Sequence, residues 1–421
     1  MMRAILVNLS LTAEERTGAE DSLDELAGLA GAWGAVVVRR VRQSRPRPSP
    51  RTFIGRGKVR ELETMAVDLR ADLILFDHDL TPVQQRSLED ALPARVVDRT
   101  QIILDIFARR ASSREGKLQV ELARLMYRLP RLAGRGKSFS QPGAGIRTRG
   151  PGEQKLEEDR RRIQDRITKV KRQIESLGLR RSGQRTSRKR SPAPLVSLVG
   201  YTSAGKSTLF NALTRERVFT SPMMFATLDP VMRRVSFPDG MHFLLSDTVG
   251  FIRRLPVELI TSFRATLEEL RESNCICHVI DLSSSRHEEQ AEAVERILAE
   301  IGAGDIPLVR VYNKVDLLPG GEEIAPPRGN LPSAGRVFLS AKTGRGVPDL
   351  KSLLRSLLFQ DRRLYRLRLS EERRGLLPEL AARGVVLKAS DRPDGVELTL
   401  MARPESVREL LPDLVEGEQP C

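Results

Sequence analysis

The chain has 421 residues, of which 40% are hydrophobic and 4% aromatic, and its formal net charge is +15. This length exceeds what one ordinary core organises, so we expect several domains with largely aliphatic cores. No apolar run is long enough to span a bilayer, and the apolar start is too short for a signal peptide. The three cysteines, Cys275, Cys277 and Cys421, lack metal-ligand or disulfide spacing, which favours a reducing cytoplasm.

The positive charge is concentrated in the first half of the chain. Residues 1–190 contain 40 Lys and Arg against 24 Asp and Glu, whereas residues 191–421 contain 30 against 31. Residues 109–190 alone contain 25 against 8. Charged runs are usually solvated helix faces, but an excess confined to one segment favours nucleic acid as a partner.

The first 108 residues alternate short apolar runs with amphipathic patterns. The predicted strands are 4–9, 35–38, 72–77 and 95–98, and the predicted helices lie near 12–32, 57–70 and 81–92. This alternation is typical of an α/β lobe with a largely parallel sheet. The segment IGRGK (54–58) resembles a phosphate loop without its full spacing, so a second nucleotide site is conceivable, but a basic turn before a helix is favoured.

Residues 109–179 predict an antiparallel helical hairpin. Apolar side chains recur at spacings of three, four and seven, typical of a helix–helix seam: Leu118, Leu122, Leu125, Leu129, then Leu156, Ile163, Ile167, Val170, Ile174 and Leu177. The loop 133–152 between them is rich in Gly and Pro and has no acidic residue. Its basic residues are the candidates for RNA contact: Arg135, Lys137, Arg147 and Arg149. Residues 180–193 predict a flexible basic linker.

Two further domains are predicted after the linker. Residues 194–360 repeat the α/β pattern, with strands at 195–199, 231–237, 241–246, 275–281, 308–312 and 336–340. Residues 361–421 predict a small α+β domain without a catalytic motif, with strand 365–370, helix 371–382, two strands within 385–400 and helix 404–414.

The segment GYTSAGKS (200–207) carries the strongest chemical signal. It fits the pattern GxxxxGK[ST] and lies between an apolar strand and a helical pattern, which disfavours a turn without function. Its backbone amides can surround phosphate oxygens at a helix N-terminus. Lys206 can neutralise the β- and γ-phosphates, and the Ser207 hydroxyl can bind Mg²⁺.

Two motifs between residues 225 and 250 complete the phosphate side of the site. SDTVG ends an apolar strand, where Asp247 can hold Mg²⁺ through water and the amide of Gly250 can reach the γ-phosphate. FATLD contains Thr227, the threonine expected in a first switch loop, whose hydroxyl and backbone can bind Mg²⁺ and sense the γ-phosphate. We therefore assign direct roles in hydrolysis to Lys206, Thr227 and Gly250.

Two later motifs predict guanine as the base. NKVD supplies Asp316, whose carboxylate can accept hydrogen bonds from guanine N1 and N2, a pattern that adenine cannot offer. SAK, which follows another predicted strand, can supply an amide to guanine O6. All four motifs stand at strand ends, as a site at the carboxyl edge of a sheet requires. The predicted nucleotide-binding residues are Gly200, Tyr201, Thr202, Ser203, Ala204, Gly205, Lys206, Ser207, Phe225, Ala226, Thr227, Leu228, Asp229, Asp247, Thr248, Val249, Gly250, Asn313, Lys314, Val315, Asp316, Ser340, Ala341 and Lys342.

The residue after Gly250 is Phe251, where many GTPases have a glutamine that orients the attacking water. A phenylalanine ring cannot polarise water. Another group or a partner must therefore complete the site, and we expect slow intrinsic turnover.

These motifs resemble those of the HflX family of ribosome-associated, translation-factor-class GTPases. The resemblance lies in GYTSAGKSTLFNALT, FATLDP, DTVGFIRRLPVELITSFRATLEEL and NKVD, and upstream in FIGRGKVREL, GKLQVELARLMYRLPRL and RGPGEQKLEEDRRRI. It implies Mg²⁺-dependent GTP hydrolysis, stimulation by the ribosome, binding to the RNA of the large ribosomal subunit, and a role in splitting or rescuing stalled ribosomes. The residues that match the family's nucleotide motifs are Lys206, Ser207, Thr227, Asp247, Gly250, Asn313, Lys314 and Asp316.

Three positions depart from the family pattern. Ser203 replaces an asparagine that can help to bind a stimulatory K⁺, which puts K⁺ activation in doubt. GPGEQKLE replaces the usual GPGETQLE, and DPVMR (229–233) replaces DPTTR.

The sequence therefore predicts a multi-domain α/β protein: an N-terminal α/β lobe (1–108), a helical hairpin (109–179), a linker (180–193), a P-loop GTPase domain with a doubly wound, mostly parallel sheet (194–360), and a C-terminal α+β domain (361–421). We expect it to be monomeric when free. An alternative is an RNA-binding module for ribosome assembly or silencing in which GTP is a structural ligand. RNA modification would need a second catalytic constellation, which the sequence lacks, and the isolated histidines are interpreted as structural: His78, His242, His278 and His287.

Overall fold

The computed structural model of the chain describes residues 1–132, 151–189, 193–214, 224–225, 231–248, 250–254, 256, 259, 261–262, 268–318 and 335–411. The chain divides into two compact units. The first contains residues 1–177 with segments 221–229 and 254–264, and the second contains residues 178–220, 230–253 and 265–421. The predicted division into five parts is finer than these two units. None of the described helices is long and apolar enough to cross a membrane.

The first unit contains a parallel four-stranded sheet with the strand order β2-β1-β3-β4. Its strands are β1 (Met2–Ser10), β2 (Ala35–Ser44), β3 (Leu73–Phe76) and β4 (Arg95–Asp98). β1 and β3 are nearly continuous runs of buried aliphatic side chains, as expected of central strands in a parallel sheet. The α/β prediction for this lobe is confirmed. β2 extends well past its predicted end at residue 38, because its exposed arginines belong to an edge strand.

Five helices accompany this sheet within residues 1–110: α1 (Ala13–Thr17), α2 (Ala19–Trp33), α3 (Arg56–Asp68), α4 (Pro82–Glu89) and α5 (Arg99–Arg110). The single helix predicted at 12–32 is two helices, because α1 ends at Gly18 and α2 begins after it. Thr81 and Gln84 form a reciprocal capping box that starts α4, with Pro82 in its first turn.

The next two helices are α6 (Arg114–Leu132) and α7 (Pro151–Lys189). The Arg166 guanidinium of α7 donates two hydrogen bonds to the Glu121 carboxylate of α6, at 2.6 and 2.9 Å. α7 continues through Lys189, so the prediction of a flexible linker from residue 180 is wrong for residues 180–189. This segment is rich in Arg, Gln and Lys, which have favourable helix propensities that its single glycine does not outweigh.

The last turn of α6 is attached to the end of β4 through a buried carboxylate, Asp98. Tyr127 Oη donates to Asp98 Oδ1 at 2.8 Å, and Arg131 Nη2 donates to Asp98 Oδ2 at 3.0 Å. The Arg131 guanidinium also lies 3.4 Å from the centre of the Tyr127 ring. Burial raises the pKa of Asp98, while the hydrogen bond from the Gln101 amide and the charge of Arg131 oppose that rise.

The second unit contains a six-stranded sheet with the order β10-β9-β8-β5-β7-β6, parallel except for the edge strand β6. Its strands are β5 (Leu195–Gly200), β6 (Val231–Ser236), β7 (His242–Asp247), β8 (Cys275–Asp281), β9 (Leu308–Asn313) and β10 (Arg336–Phe338). Its described helices are α8 (Lys206–Thr214), α9 (His287–Glu300) and α10 (Val347–Phe359), with 3₁₀ turns at Glu268–Glu272 and Val315–Leu317. After β5 the chain first adds β6 and β7 on one side of it and then β8, β9 and β10 on the other. Such a switch point in the strand order opens a crevice at the carboxyl ends of the strands.

The unit ends in a three-stranded antiparallel sheet with the order β11-β13-β12. Its elements are β11 (Arg363–Ser370), a 3₁₀ turn (Glu371–Leu376), α11 (Leu377–Arg383), β12 (Gly384–Arg392), β13 (Gly395–Ala402) and α12 (Pro404–Leu410). Leu367, Leu398 and Leu400 form the centre of its own small core. This is the α+β arrangement predicted from residue 361 onward.

Candidate active site

The phosphate loop connects β5 to α8, as the motif requires. Gly200 has φ +150° and Gly205 has φ +96°, conformations that side chains rarely adopt. A Cβ at Gly205 would lie 2.2 Å from Asn313 Nδ2, so the loop and the NKVD motif are packed together at this point. The hydroxyl of Thr202 is buried and has no hydrogen-bond partner among the described residues, which suits a loop that binds phosphate oxygens.

Lys206 begins α8 and is buried. Its Nζ donates hydrogen bonds to the carbonyl oxygens of Gly200 at 3.0 Å and Tyr201 at 2.8 Å. Burial lowers the pKa of Lys206 to about 8, and the negative charge of Asp247 partly offsets this shift. The free protein therefore holds an ammonium group that gains from a nearby anion, and a triphosphate would supply one.

The two described candidates for binding Mg²⁺ are in contact. Ser207 Oγ donates a hydrogen bond to Asp247 Oδ2 at 2.8 Å, which joins the start of α8 to the end of β7. Hydroxyl and carboxylate oxygens are hard donors that suit Mg²⁺, particularly when phosphate oxygens and water complete its octahedron. The residues present thus fit the ion. Thr227, the third candidate, lies outside the described residues.

The segment after Asp247 is joined to the phosphate loop by backbone hydrogen bonds. The amide of Thr202 donates to the Phe251 carbonyl at 2.7 Å, and the Phe251 amide donates to the Gly200 carbonyl at 3.1 Å. A Cβ at Gly250 would lie 3.0 Å from Lys206 Nζ and 3.1 Å from Thr202 Cα, so a side chain at this position would crowd both residues. Gly250 is therefore adjacent to the ammonium that would contact the γ-phosphate.

Phe251 is 4% exposed, and its ring is part of the protein interior. Its backbone thus fixes the loop, while its side chain offers no polar atom to a water molecule. The Tyr201 hydroxyl accepts a hydrogen bond from the Arg253 amide at 2.6 Å, so the contact between the phosphate loop and the segment after Asp247 continues to residue 253.

Asn313 connects three of the four motifs. Its Nδ2 donates to the Ala204 carbonyl of the phosphate loop at 2.8 Å, and its Oδ1 accepts from the Ala341 amide of SAK at 2.9 Å. Asp316 follows in a 3₁₀ turn and is exposed, so its carboxylate is accessible to a base. The geometry supports a guanine site between NKVD and SAK.

Lys314 and Ser340 support this part of the site. Lys314 has φ +68°, and its ammonium contacts Asp281 Oδ2 at 2.6 Å. The Ser340 hydroxyl accepts from the Thr343 amide at 3.2 Å, which shapes the SAK turn. Sequence reasoning missed Asp281; its position at the end of the apolar strand CICHVID was the available signal.

Known proteins are similar to most of the chain. Family profiles match in three segments: "GTP-binding GTPase N-terminal" at 20–108, "GTP-binding GTPase Middle Region" at 110–188 and "50S ribosome-binding GTPase" at 195–314. The chain is 42% identical to GTPase HflX of Caldanaerobacter subterraneus subsp. tengcongensis over 396 residues, which covers 94% of this chain and 90% of the relative. It is 42% identical to GTPase HflX of Escherichia coli (strain K12) over 368 residues, which covers 87% and 85% respectively.

The chain belongs to the GTPase HflX family. A solved structure of SsGBP in complex with GDP is 25% identical and overlaps 86% of this chain and 99% of that chain, with a TM-score of 0.49. The predicted family, the α/β fold with a P-loop GTPase domain, and the activity of GTP hydrolysis are confirmed.

In this HflX-family chain, the structure brings together the predicted residues of the phosphate loop, Asp247, Gly250, NKVD and SAK. The Phe225 ring lies instead in the first unit, 4.6 Å between ring centres from Phe107 of α5. Several predicted residues lie outside the described part of the chain: Ala226, Thr227, Leu228, Asp229 and Val249 from the nucleotide motifs, and Arg135, Lys137, Arg147 and Arg149 from the hairpin loop.

The histidines and the IGRGK segment, which the sequence also offered as possible site residues, lie among groups that support the fold. His78 is largely buried, which lowers its pKa to about 4, and His287 Nδ1 contacts the Ser284 carbonyl at 2.9 Å. Across the described residues, no group of three or more His, Cys, Asp and Glu could hold a metal ion. IGRGK lies at the start of α3, where the Gly55 amide donates to Gln43 Oε1 at 2.9 Å.

Proposed function

We propose that this GTPase binds the large ribosomal subunit in a nucleotide-dependent way, through ribosomal RNA, and that it acts in the cytoplasm in ribosome splitting, rescue or biogenesis. The observation that carries the nucleotide side of the proposal is the placement of Asn313. By contacting both the phosphate loop and SAK, this side chain allows base and phosphate recognition to act as one unit.

The chain's own residues would perform distinct steps. Lys206 places a positive charge at the β- and γ-phosphates, where negative charge develops during phosphoryl transfer. Ser207, Thr227 and, through water, Asp247 would hold Mg²⁺, which neutralises phosphate charge when it is bound. The Gly250 amide would donate a hydrogen bond to the γ-phosphate. Because hydrolysis removes that phosphate, the segment after Gly250 can change conformation in response.

The ribosomal side of the proposal rests on charge and on family membership. One family profile that matches residues 195–314 is described as a 50S ribosome-binding GTPase. The excess of basic residues at 109–190 suits RNA phosphates. By resemblance to the family, the loop 133–152 would enter the RNA core of the large subunit near the peptidyl-transferase region. Neutralising Arg135, Lys137, Arg147 and Arg149 together should weaken subunit binding and reduce its salt dependence, while GTP affinity remains unchanged.

A second candidate function is favoured by one observation, the buried ring of Phe251. With no polar group at that position, GTP could serve as a structural ligand of an RNA-binding module. Multiple-turnover hydrolysis with and without ribosomes separates the two functions. Strong acceleration by ribosomes supports the proposed function, whereas an equal slow rate in both conditions supports the structural-ligand alternative.

A further inference from the structure

A second basic surface lies on the first unit, away in sequence from the hairpin. Residues 35–60 contain nine Lys and Arg and no Asp or Glu. Three of the nine are neutralised by neighbours, since Arg40 and Arg42 contact Glu20, and Lys58 contacts Glu61. The remaining positive charge is densest in residues 45–56, which we call the arginine loop.

The arginine loop carries Arg45, Arg47, Arg51 and Arg56. The last three are exposed, and Arg45 is half-buried with its guanidinium over Gly55. Within the described part of the chain, none of the four side chains forms an ion pair with a carboxylate. Four guanidinium groups are thus close in sequence and without internal counter-charges. Such clustering raises the local positive potential, which attracts an anionic partner.

The loop is fixed rather than a loose basic tail. Ser49 and Phe53 exchange two backbone hydrogen bonds of 2.8 and 2.9 Å, which close a tight turn with Arg51 at its tip. Gln84 of α4 donates to the Ser49 carbonyl at 3.0 Å. The Phe53 ring is buried against Phe76, with ring centres 6.3 Å apart.

The sequence of the loop adds stiffness. Prolines follow Arg45, Arg47 and Ser49, and a residue before proline is restricted to extended backbone conformations. The backbone at Arg45 and Arg47 therefore has little conformational freedom left to lose on binding. Preorganised guanidinium groups bind phosphate oxygens through paired N–H donors.

We propose that the arginine loop is a second RNA-binding surface that grips the phosphate backbone of a structured RNA. Regularly spaced phosphates match several separated guanidinium groups better than a single small anion does. A membrane surface is disfavoured because the loop's apolar residues Phe53 and Ile54 are buried and cannot enter lipid. The identification of the RNA as ribosomal rests on the proposed function. The inference that the loop binds RNA phosphates does not depend on it.

The test uses the full chain with Arg47→Gln, Arg51→Gln and Arg56→Gln combined. The matched control combines Arg374→Gln, Arg383→Gln and Arg392→Gln, which changes net charge equally but removes arginines that already pair with carboxylates. Binding to intact large ribosomal subunits and to protein-free RNA extracted from them is measured between about 50 and 200 mM salt, the range in which phosphate contacts are strongly weakened. Circular dichroism and denaturant titration of both variants verify that they fold, because GTP binds in the other unit and does not report on the loop's unit.

If the loop contacts phosphates, its variant should bind protein-free RNA roughly ten- to a hundredfold more weakly, and the salt slope should fall by about 2 to 3. The control variant should match the wild type. A loop variant that retains the wild-type affinity and slope overturns the inference, as does loop-dependent binding to anionic phospholipid vesicles without loss of RNA binding. Wild-type protein that binds the free RNA through the loop but not intact subunits would contradict the proposed function and support the inference.

Discussion

The titration of Lys206 gives a quantitative test of the nucleotide site. In the free protein, burial lowers the pKa of this ammonium from 10.5 to about 8. A bound triphosphate places negative charge beside the ammonium and raises the pKa again. GTP binding therefore takes up a proton when the pH is above about 8, because the complex keeps Lys206 charged while the free protein loses the charge.

The expected magnitude follows from the protonated fraction. With a pKa of about 8, nearly all Lys206 is charged at pH 7 and about one tenth at pH 9. The affinity for GTP should fall about tenfold over this range, which corresponds to ~1.4 kcal/mol of binding free energy. The direction is fixed: affinity decreases as the pH rises through the pKa of the free protein.

The assay is a fluorescence titration with a labelled, non-hydrolysable GTP analogue across this pH range. The control is Lys206→Arg, whose side chain keeps its charge throughout this range. Any pH dependence of its affinity therefore comes from ionisation of the nucleotide or of other groups in the protein. Calorimetry in buffers of different ionisation enthalpy measures the proton uptake directly. A flat wild-type affinity, or an equal decrease in the arginine variant, would refute this account of Lys206.

Four further variants test separate parts of the site and the hairpin. Asp316→Asn should shift preference from GTP to xanthosine triphosphate, as competition binding would reveal; wild-type protein that binds ATP as tightly as GTP would contradict the guanine assignment. Asn313→Ala removes two buried hydrogen bonds, so it should lower the free energy of unfolding by about 2–3 kcal/mol in denaturant titrations. It should also weaken GTP binding, and normal GTP affinity would argue against the bridging role of Asn313. Tyr127→Phe leaves Asp98 one donor short, so ribosome binding should weaken at unchanged GTP affinity; equal ribosome binding would show that the end of α6 does not orient the hairpin. Ser203→Asn, in a backbone conformation that asparagine tolerates, should introduce stimulation of hydrolysis by K⁺ over Na⁺, and no cation preference would count against that position.

Sequence reasoning located the nucleotide motifs because their chemistry depends on short, contiguous segments at strand ends. Lys206, Ser207 and Asp247 could be placed from spacing alone, and the structure brings their side chains together. The role of Asn313 as a connection between motifs could not be predicted, since its partners are far away in the sequence.

The sequence prediction missed two structural features, the full length of β2 and the helix at residues 180–189, because polar residues obscured both patterns. The exposed arginines of β2 hid the continuation of an edge strand, because alternation with Val41 is weak over so few residues. The polar composition of residues 180–189 suggested a linker, although arginine, glutamine and lysine are also good helix formers.

Co-sedimentation with purified large ribosomal subunits tests the central claim most directly. The full chain is compared with GDP and with a non-hydrolysable GTP analogue at one salt concentration, and Lys206→Ala serves as the variant impaired in triphosphate binding. The account predicts that the GTP analogue increases the subunit-bound fraction strongly for the wild type and little for the variant. Equal sedimentation of the wild type with either nucleotide would contradict nucleotide-controlled binding to the ribosome.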